Sequence, residues 1–154
     1  MSALVIPGSI YREMLEQART QAPIEACGIL GGRGDRVEVF HPMTNTDHSA
    51  DHFLMEPAEQ FKVVRSLRAA GQRVLAIHHS HPMSPPRPSA EDIRLALTPD
   101  VLYTILSLQE PANPVLRAFA ICEGIATEHP LTIETYNDTS APTICRRRSS
   151  QEDR

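Results

Sequence analysis

The chain contains no tryptophan, and Phe, Trp and Tyr together make up 5% of it. Single-stranded nucleic acids are held by stacking bases on aromatic rings beside a basic groove, so the chain is poorly equipped for that task. Positive charge is also short: 15 Lys and Arg stand against 19 Asp and Glu, a formal net charge of −4. No basic stripe interleaved with aromatics runs along the chain, which argues against a nucleic-acid binder. Cysteine is scarce. Cys27, Cys122 and Cys145 lie far apart and form no C-x-x-C pair. Neither a disulfide framework nor a cysteine zinc site is expected, and a reducing compartment fits best. No apolar run approaches the roughly 20 residues of a membrane-spanning helix. Met1-Ser2-Ala3-Leu4-Val5-Ile6-Pro7 lacks a basic start ahead of a long apolar stretch, so no signal peptide is read there and a cytoplasmic location is expected.

What remains is ordinary for a globular chain: 41% hydrophobic and 22% charged residues in 154 positions, a length that suits one domain with a real core. Leu4 and Ile6 alternate in a short strand closed by Pro7-Gly8, and Ser9 is read as the cap of a helix reaching about Thr20. A strand over 26–32 turns at Gly32-Arg33-Gly34-Asp35 into a strand over 36–41, a hairpin that would carry Glu25 at its mouth. Residues 42–52 read as a polar loop, whose Asp47-His48 and Asp51-His52 pairs are taken as solvated rather than as a second metal site. Phe53-Leu54-Met55 is read as a short strand. Pro57 opens a helix ending at Gly71, with Ala58, Phe61, Val64 and Leu67 expected to face inward. Strands follow over 101–108, 115–122 and 125–133, the last marked as an edge by Pro130. From Asn137 to Arg154 the chain is polar, contains Arg146-Arg147-Arg148, and is expected to be a disordered tail, leaving a domain over 1–136. The fold class expected is α/β, a mixed, curved sheet of about six to eight strands flanked by helices.

Chemistry concentrates between Val74 and Asp92. The short apolar, partly β-branched run Val74-Leu75-Ala76-Ile77 predicts a strand over 74–81, buried on both faces. Alternate side chains on a strand share a face, so His79 and His81 are expected beside Leu75 and Ile77. His78 and Ser80 are expected on the other face with Val74 and Ala76, which excludes His78 as a ligand. After the proline-dense turn Pro85-Pro86-Arg87-Pro88, a helix over 89–97 is expected, with Ser89 as N-cap, Asp92 at its third position and Ile93, Ala96 and Leu97 as an apolar stripe. Taken singly, Ser89 and Asp92 read as a capping pair and His79 as a hydrogen-bonded core histidine. Jointly, two imidazoles on one strand face and an acid at the next helix start supply three N/O ligands with room for water, the layout of a catalytic zinc site.

This spacing, His-x-His, seven residues, Ser, two residues, Asp, resembles the signature of the JAMM metalloproteases, also called the MPN+ or JAB domain. Pro23-Ile24-Glu25-Ala26-Cys27-Gly28-Ile29-Leu30-Gly31-Gly32 is similar to the family's E-x-C-G-hydrophobic-L segment. Asn45 and Phe53-Leu54-Met55-Glu56-Pro57 resemble further parts of it, so the likeness runs over residues 4–135. The resemblance implies a deaminase-like α-β-α layout, with Zn²⁺ held by His79, His81 and Asp92. It implies Glu25 as the general base for the zinc-bound water and Ser89 as a donor to the oxyanion, whether or not Ser89 also caps its helix. Bound zinc lowers the pKa of its water to about 7 and polarises a carbonyl. The substrate class implied is the amide bond after the C-terminal Gly-Gly of a ubiquitin-like sulfur-carrier protein. Cysteine release, thiocarboxylate recycling and removal of protein-linked carrier are the settings. Two rival classes stand beside it. A non-catalytic MPN scaffold typically lacks the ligands intact here, and a zinc deaminase would need the absent H-x-E and P-C-x-x-C pair.

Overall fold

The computed structural model describes residues 2–135. In chain order the elements are β1 (Leu4–Ile6), α1 (Gly8–Gln21), β2 (Cys27–Arg33), β3 (Arg36–Met43), α2 (Pro57–Ala69), β4 (Arg73–His81), α3 (Ala90–Leu95), β5 (Leu102–Ser107), β6 (Val115–Cys122), β7 (Ile125–His129) and β8 (Leu131–Ile133). All eight strands join one sheet in the order β7-β6-β5-β4-β2-β3-β1-β8. The β4–β5, β1–β3 and β1–β8 pairs are parallel and the others antiparallel. This is the mixed, curved α/β sheet that the sequence suggested.

Pro130 explains the curvature. Proline has no N–H to give a ladder, and the single strand expected over 125–133 breaks there into β7 and β8. Those two strands occupy opposite ends of the sheet order, yet one residue joins them. The sheet therefore has to curl until its edges nearly meet, and it becomes almost a barrel. Leu4 N–H donates to Pro130 O at 2.9 Å, which anchors the start of β8 beside β1.

β4 lies near the middle, between β2 and β5, and its first half departs from simple alternation. Its register against β2 passes from Leu30↔Ala76 to Gly31↔Val74, which leaves Leu75 as an extra, bulged residue. A bulge of one residue exchanges the faces on either side of it. Leu75 therefore packs with Ala76 in the cluster of Leu4, Ile6, Met14 and Leu30, while Val74 packs with Ile77 around Cys27, Ile29 and Met55. The expectation that Leu75 shares the face of His79 is thus corrected, whereas beyond Ala76 the alternation is regular.

The helices correct the sequence reading in three places. Pro7, not Ser9, bounds α1, because the Pro7 carbonyl accepts the N–H groups of Ile10 and Tyr11 and so starts the helix two residues early. In α2 only Leu67 is buried, and Phe61 is 67% exposed with the Arg65 guanidinium over its ring. Docking decides that face: Val63 and Leu67, one turn apart, meet the sheet, and Leu67 lies so close to Gly31 that a Cβ there would collide with it. α3 is six residues long and buries none of them; Leu97, expected on its inward stripe, is 80% exposed. The strand expected at Phe53–Met55 shrinks to one bridge between Asn45 and Met55. Gly71 ends α2 as expected, with φ +74°. Among the described residues no helix is long and apolar enough to cross a membrane. The tail expected from Asn137 lies outside the described residues.

Candidate metal centre

Ladders on both sides fix the C-terminal half of β4, with Cys27 opposite His79 on one flank and Ile105 and Ser107 opposite His79 and His81 on the other. The two imidazoles consequently leave the same face at the strand's end. Asp92 approaches from α3, and a reciprocal cap sets its rotamer. Ser89 Oγ accepts the Asp92 N–H at 3.0 Å, and Asp92 Oδ2 accepts the Ser89 N–H at 2.9 Å. The same Oδ2 stands 3.1 Å from Nε2 of His79 and 3.1 Å from Nε2 of His81, and those two nitrogens are 3.0 Å apart. His81 Nδ1 donates to the Pro85 carbonyl at 2.8 Å, which directs the Nε2 lone pair into the cluster. Phe53 stacks on the His79 ring with centroids 4.6 Å apart.

The donor set fits a zinc ion. Tetrahedral zinc with ligands at about 2.0–2.1 Å holds them about 3.3–3.4 Å from one another. A triangle with edges of 3.0 and 3.1 Å needs to expand by only tenths of an ångström. Among the described residues, His79, His81 and Asp92 are the one group of three or more His, Cys, Asp or Glu side chains close enough to hold a metal. His52 and Asp47 in the polar loop make a 3.2 Å pair, and no third His, Cys, Asp or Glu side chain among the described residues joins them.

Charge in the cluster is polarised. Burial alone would raise the Asp92 carboxyl, but hydrogen bonds from His79 and His81 hold it well below the usual carboxylate range. Burial pushes His79 down. For His81 burial acts the same way but loses to the Asp92 and Pro85 hydrogen bonds, and its pKa is raised. Glu25 behaves differently from all three. It is 2% exposed, its Oε1 is buried without a hydrogen-bond partner, and burial pushes its carboxyl up to about 8. His81 pulls that value down, while Asp92, Asp51 and Glu91 push it up, so Glu25 lies within electrostatic reach of the triangle.

Two residues that the sequence reading gave no role hold Glu25 in place. Ser80, between the two histidines, accepts the Ala26 N–H on its Oγ at 2.8 Å and donates its own N–H to Ala26 O at 2.8 Å. Asn45 Nδ2 donates to Glu25 O at 3.0 Å, and Glu25 N–H donates to Ser49 O at 2.8 Å. The available signal was a small hydroxyl residue on the buried back of the strand. His78 points away from the cluster to Thr104 Oγ1 at 2.9 Å. Cys27 is fully buried, and burial pushes its thiol up to about 12, which suits a small apolar filler. Beside the triangle opens a cavity of about 280 Å³, bordered by His79 and Asp92 and walled by Phe53, Ile77, Tyr103 and Ile105.

An eight-stranded, nearly closed sheet with this cluster at the end of a central strand defines a JAB/MPN-type α/β domain. More particularly, the chain belongs to the family described as prokaryotic homologs of the JAB domain, which matches residues 7–122. The CysO-cysteine peptidase of Mycobacterium tuberculosis is 36% identical over 132 residues, covering 84% of this chain and 90% of the relative. A protein of Thermus thermophilus named as a probable TtuB-protein conjugate cleaving protease is 34% identical over 122 residues, covering 79% and 78%. Among solved structures, a protein of Desulfitobacterium hafniense superimposes with a TM-score of 0.78 at 41% identity, covering 88% of this chain and 96% of that one.

Proposed function

We propose that this chain is a zinc-dependent peptidase that hydrolyses the amide bond after the C-terminal Gly-Gly of a ubiquitin-like sulfur-carrier protein. The observation that carries the reading is the three-donor triangle of His79, His81 and Asp92 beside a buried, unpaired carboxyl on Glu25. His79, His81 and Asp92 would hold Zn²⁺. When bound, the ion acts as a Lewis acid on a carbonyl and makes water more acidic. Glu25 takes the proton of the attacking water and returns it to the leaving amine. Burial pushes its carboxyl up to about 8 without a metal, and a bound cation would draw it back down, which suits it to exchanging protons near neutral pH. Ser89 Oγ already accepts the Asp92 N–H through a lone pair. Its hydroxyl proton remains to donate toward the oxyanion that develops on the scissile carbonyl. Capping and oxyanion donation are thus compatible in one side chain.

A tail ending in Gly-Gly suits this approach, since two residues without side chains let a carbonyl reach a buried strand end. The peptidase relatives, one named for CysO-cysteine and one for TtuB conjugates, support a carrier-protein substrate. Cys27 and Cys122 are both free, in keeping with a reducing, cytoplasmic setting. The test is direct. A carrier protein ending in Gly-Gly and extended by one residue is incubated with the zinc-loaded chain, and the products are weighed. Loss of one residue's mass after the second glycine is expected, abolished by chelation and restored by zinc. A purified chain with no affinity for zinc, or one that leaves the extended carrier intact, would sink the proposal in favour of a non-catalytic scaffold.

A further inference from the structure

Apolar side chains scattered singly over a surface need no explanation, whereas a group of them rimmed by polar residues marks a contact surface. Leu54, Leu95 and Leu97 form such a group. Leu54 and Leu95 are about half exposed and Leu97 is more so, and all three border the cavity that opens beside His79 and Asp92. His52, Gln60, Glu91 and Thr98 border it as well, which gives the apolar centre and polar rim of a protein interface.

The two sides of this cavity are fastened differently. Leu54 is anchored to the end of β3: its N–H donates to Asn45 Oδ1 at 3.1 Å, and its carbonyl accepts the Thr46 N–H at 2.9 Å. Leu95 ends α3, and Leu97 follows it. No apolar residue of α3 is fully buried, so packing contributes little to holding the helix in place. Its ties are the reciprocal cap and the approach of Asp92 to the two histidines. Beyond its end, the Thr98 N–H donates to the Tyr103 hydroxyl at 3.3 Å. Asp92 and Leu95 stand one turn apart on this helix, so whatever grips Leu95 also holds the proposed zinc ligand.

The size of the surface selects its occupant. A single released amino acid could cover one of these leucines but not three set around a cavity mouth. The carrier is the part that every substrate of the proposed reaction shares. Two extended residues span only about 7 Å, so a carrier whose Gly-Gly carbonyl is at the triangle has its remaining chain close by. The exposed leucines are the apolar side chains that border the cavity there. Resting on the peptidase reading above, we propose that Leu54, Leu95 and Leu97 are the docking surface for an apolar face of the carrier. Docking bridges the anchored Leu54 to α3 and so tightens the grip of His79, His81 and Asp92 on zinc. The coupling is reciprocal, and zinc strengthens carrier binding by the same factor.

The probe is the carrier cleaved in the test above, prepared with its two terminal glycines and without them. The shortened form cannot bring a carboxylate to the triangle, so any effect it has on zinc passes through the surface. Both forms are expected to bind the zinc-loaded chain. The shortened form is expected to raise zinc affinity, measured against a competing chelator, by about fivefold or more. Leu97→Ser and Leu54→Ser, both at exposed positions, are each expected to weaken binding of the shortened carrier by about 10-fold or more. At the same carrier concentration they remove the effect on zinc, while the melting temperature and zinc affinity of the chain alone stay unchanged. A shortened carrier that does not bind, binds both variants as well as the unaltered chain, or binds without changing zinc affinity overturns the proposal and leaves the peptidase reading standing. So does a Leu97→Ser change that splits a dimer of this chain, since the surface then belongs to a second copy. If the zinc-loaded chain cleaves no carrier, both fall.

Discussion

The end of β4 places three histidines in four positions, and its two faces use them in opposite ways. His78, His79 and His81 are 0%, 1% and 3% exposed, so burial does not distinguish them. What their nitrogens meet does. On one face His78 reaches the Thr104 hydroxyl, has the Phe40 ring edge-on at 5.8 Å, and is pushed down to about 3 by burial. That face is closed apolar core, and its histidine stays neutral. On the other face His79 and His81 converge on a single carboxylate oxygen, and an apolar cavity opens next to them. A buried histidine becomes a candidate ligand when a second element delivers a charged donor to the same point. Here that element is a six-residue helix fixed by its own cap.

The sharpest way to break the contrast is to remove that donor. Asp92→Ala is expected to weaken zinc binding by more than about 100-fold, since ligand loss should exceed the 10- to 100-fold effects of outer partners. Metal analysis after dialysis checks it; a variant that keeps a full equivalent of zinc would show that the two histidines hold the ion without Asp92.

Glu25→Gln comes next, with zinc retained and turnover lowered by about 10²- to 10⁴-fold. It also carries a pH signature in the chelated protein. Folding raises the Glu25 pKa from the usual carboxylate range to about 8, with burial as the main cause. The folded state therefore holds a proton that the unfolded chain releases between about pH 4.5 and 8. Stability is fully present below that window and declines as pH rises through it. Thermal melts should fall more steeply from pH 5 to 8 for the unaltered protein than for Glu25→Gln. Parallel curves would mean that Glu25 ionises freely in the folded chain.

Ser80 links the faces, because its backbone lies between the two proposed ligands and its hydroxyl holds the peptide after Glu25. Ser80→Ala is expected to lower kcat by about 10- to 100-fold through misplacement of the base, with KM and zinc content little changed. Ser80→Thr, which keeps the hydroxyl, should recover part of the rate. An equal fall in zinc content would make Ser80 a mere support of the strand.

Much of this arrangement could be read from the chain because strand alternation and helix capping are local rules. The strand over 74–81, the cap formed by Ser89 and Asp92, and the outward turn of His78 follow from neighbours in sequence. What escaped depends on distant partners. The bulge at Leu75 exists only against Leu30 and Gly31. The exposure of Phe61 follows from where α2 docks, and the splitting of β7 from β8 at Pro130 follows from sheet closure. Ser80 and Asn45 were silent because small polar residues carry no pattern until the peptide they hold, around Glu25, is seen beside them. The convergence of His79, His81 and Asp92 was expected once the three were read jointly rather than singly, and the family resemblance added Glu25 and Ser89 to them.

The smallest effect is expected on the closed face. Thr104→Val keeps the shape of the side chain and removes the hydroxyl that His78 Nδ1 meets, and His78 Nε2 is already without a partner. Leaving a buried imidazole wholly unpaired costs about 1–3 kcal/mol, or roughly 2–4 °C in Tm for each kcal/mol in a domain of this size. Zinc content and turnover should stay within about twofold, since neither atom faces the metal side. The double change His78→Leu with Thr104→Val should recover much of the loss, because removing both partners leaves no buried polar group to satisfy. A Thr104→Val variant that lost zinc as Asp92→Ala does would show the strand transmitting disorder from one face to the other, and the division of labour between its histidines would fail.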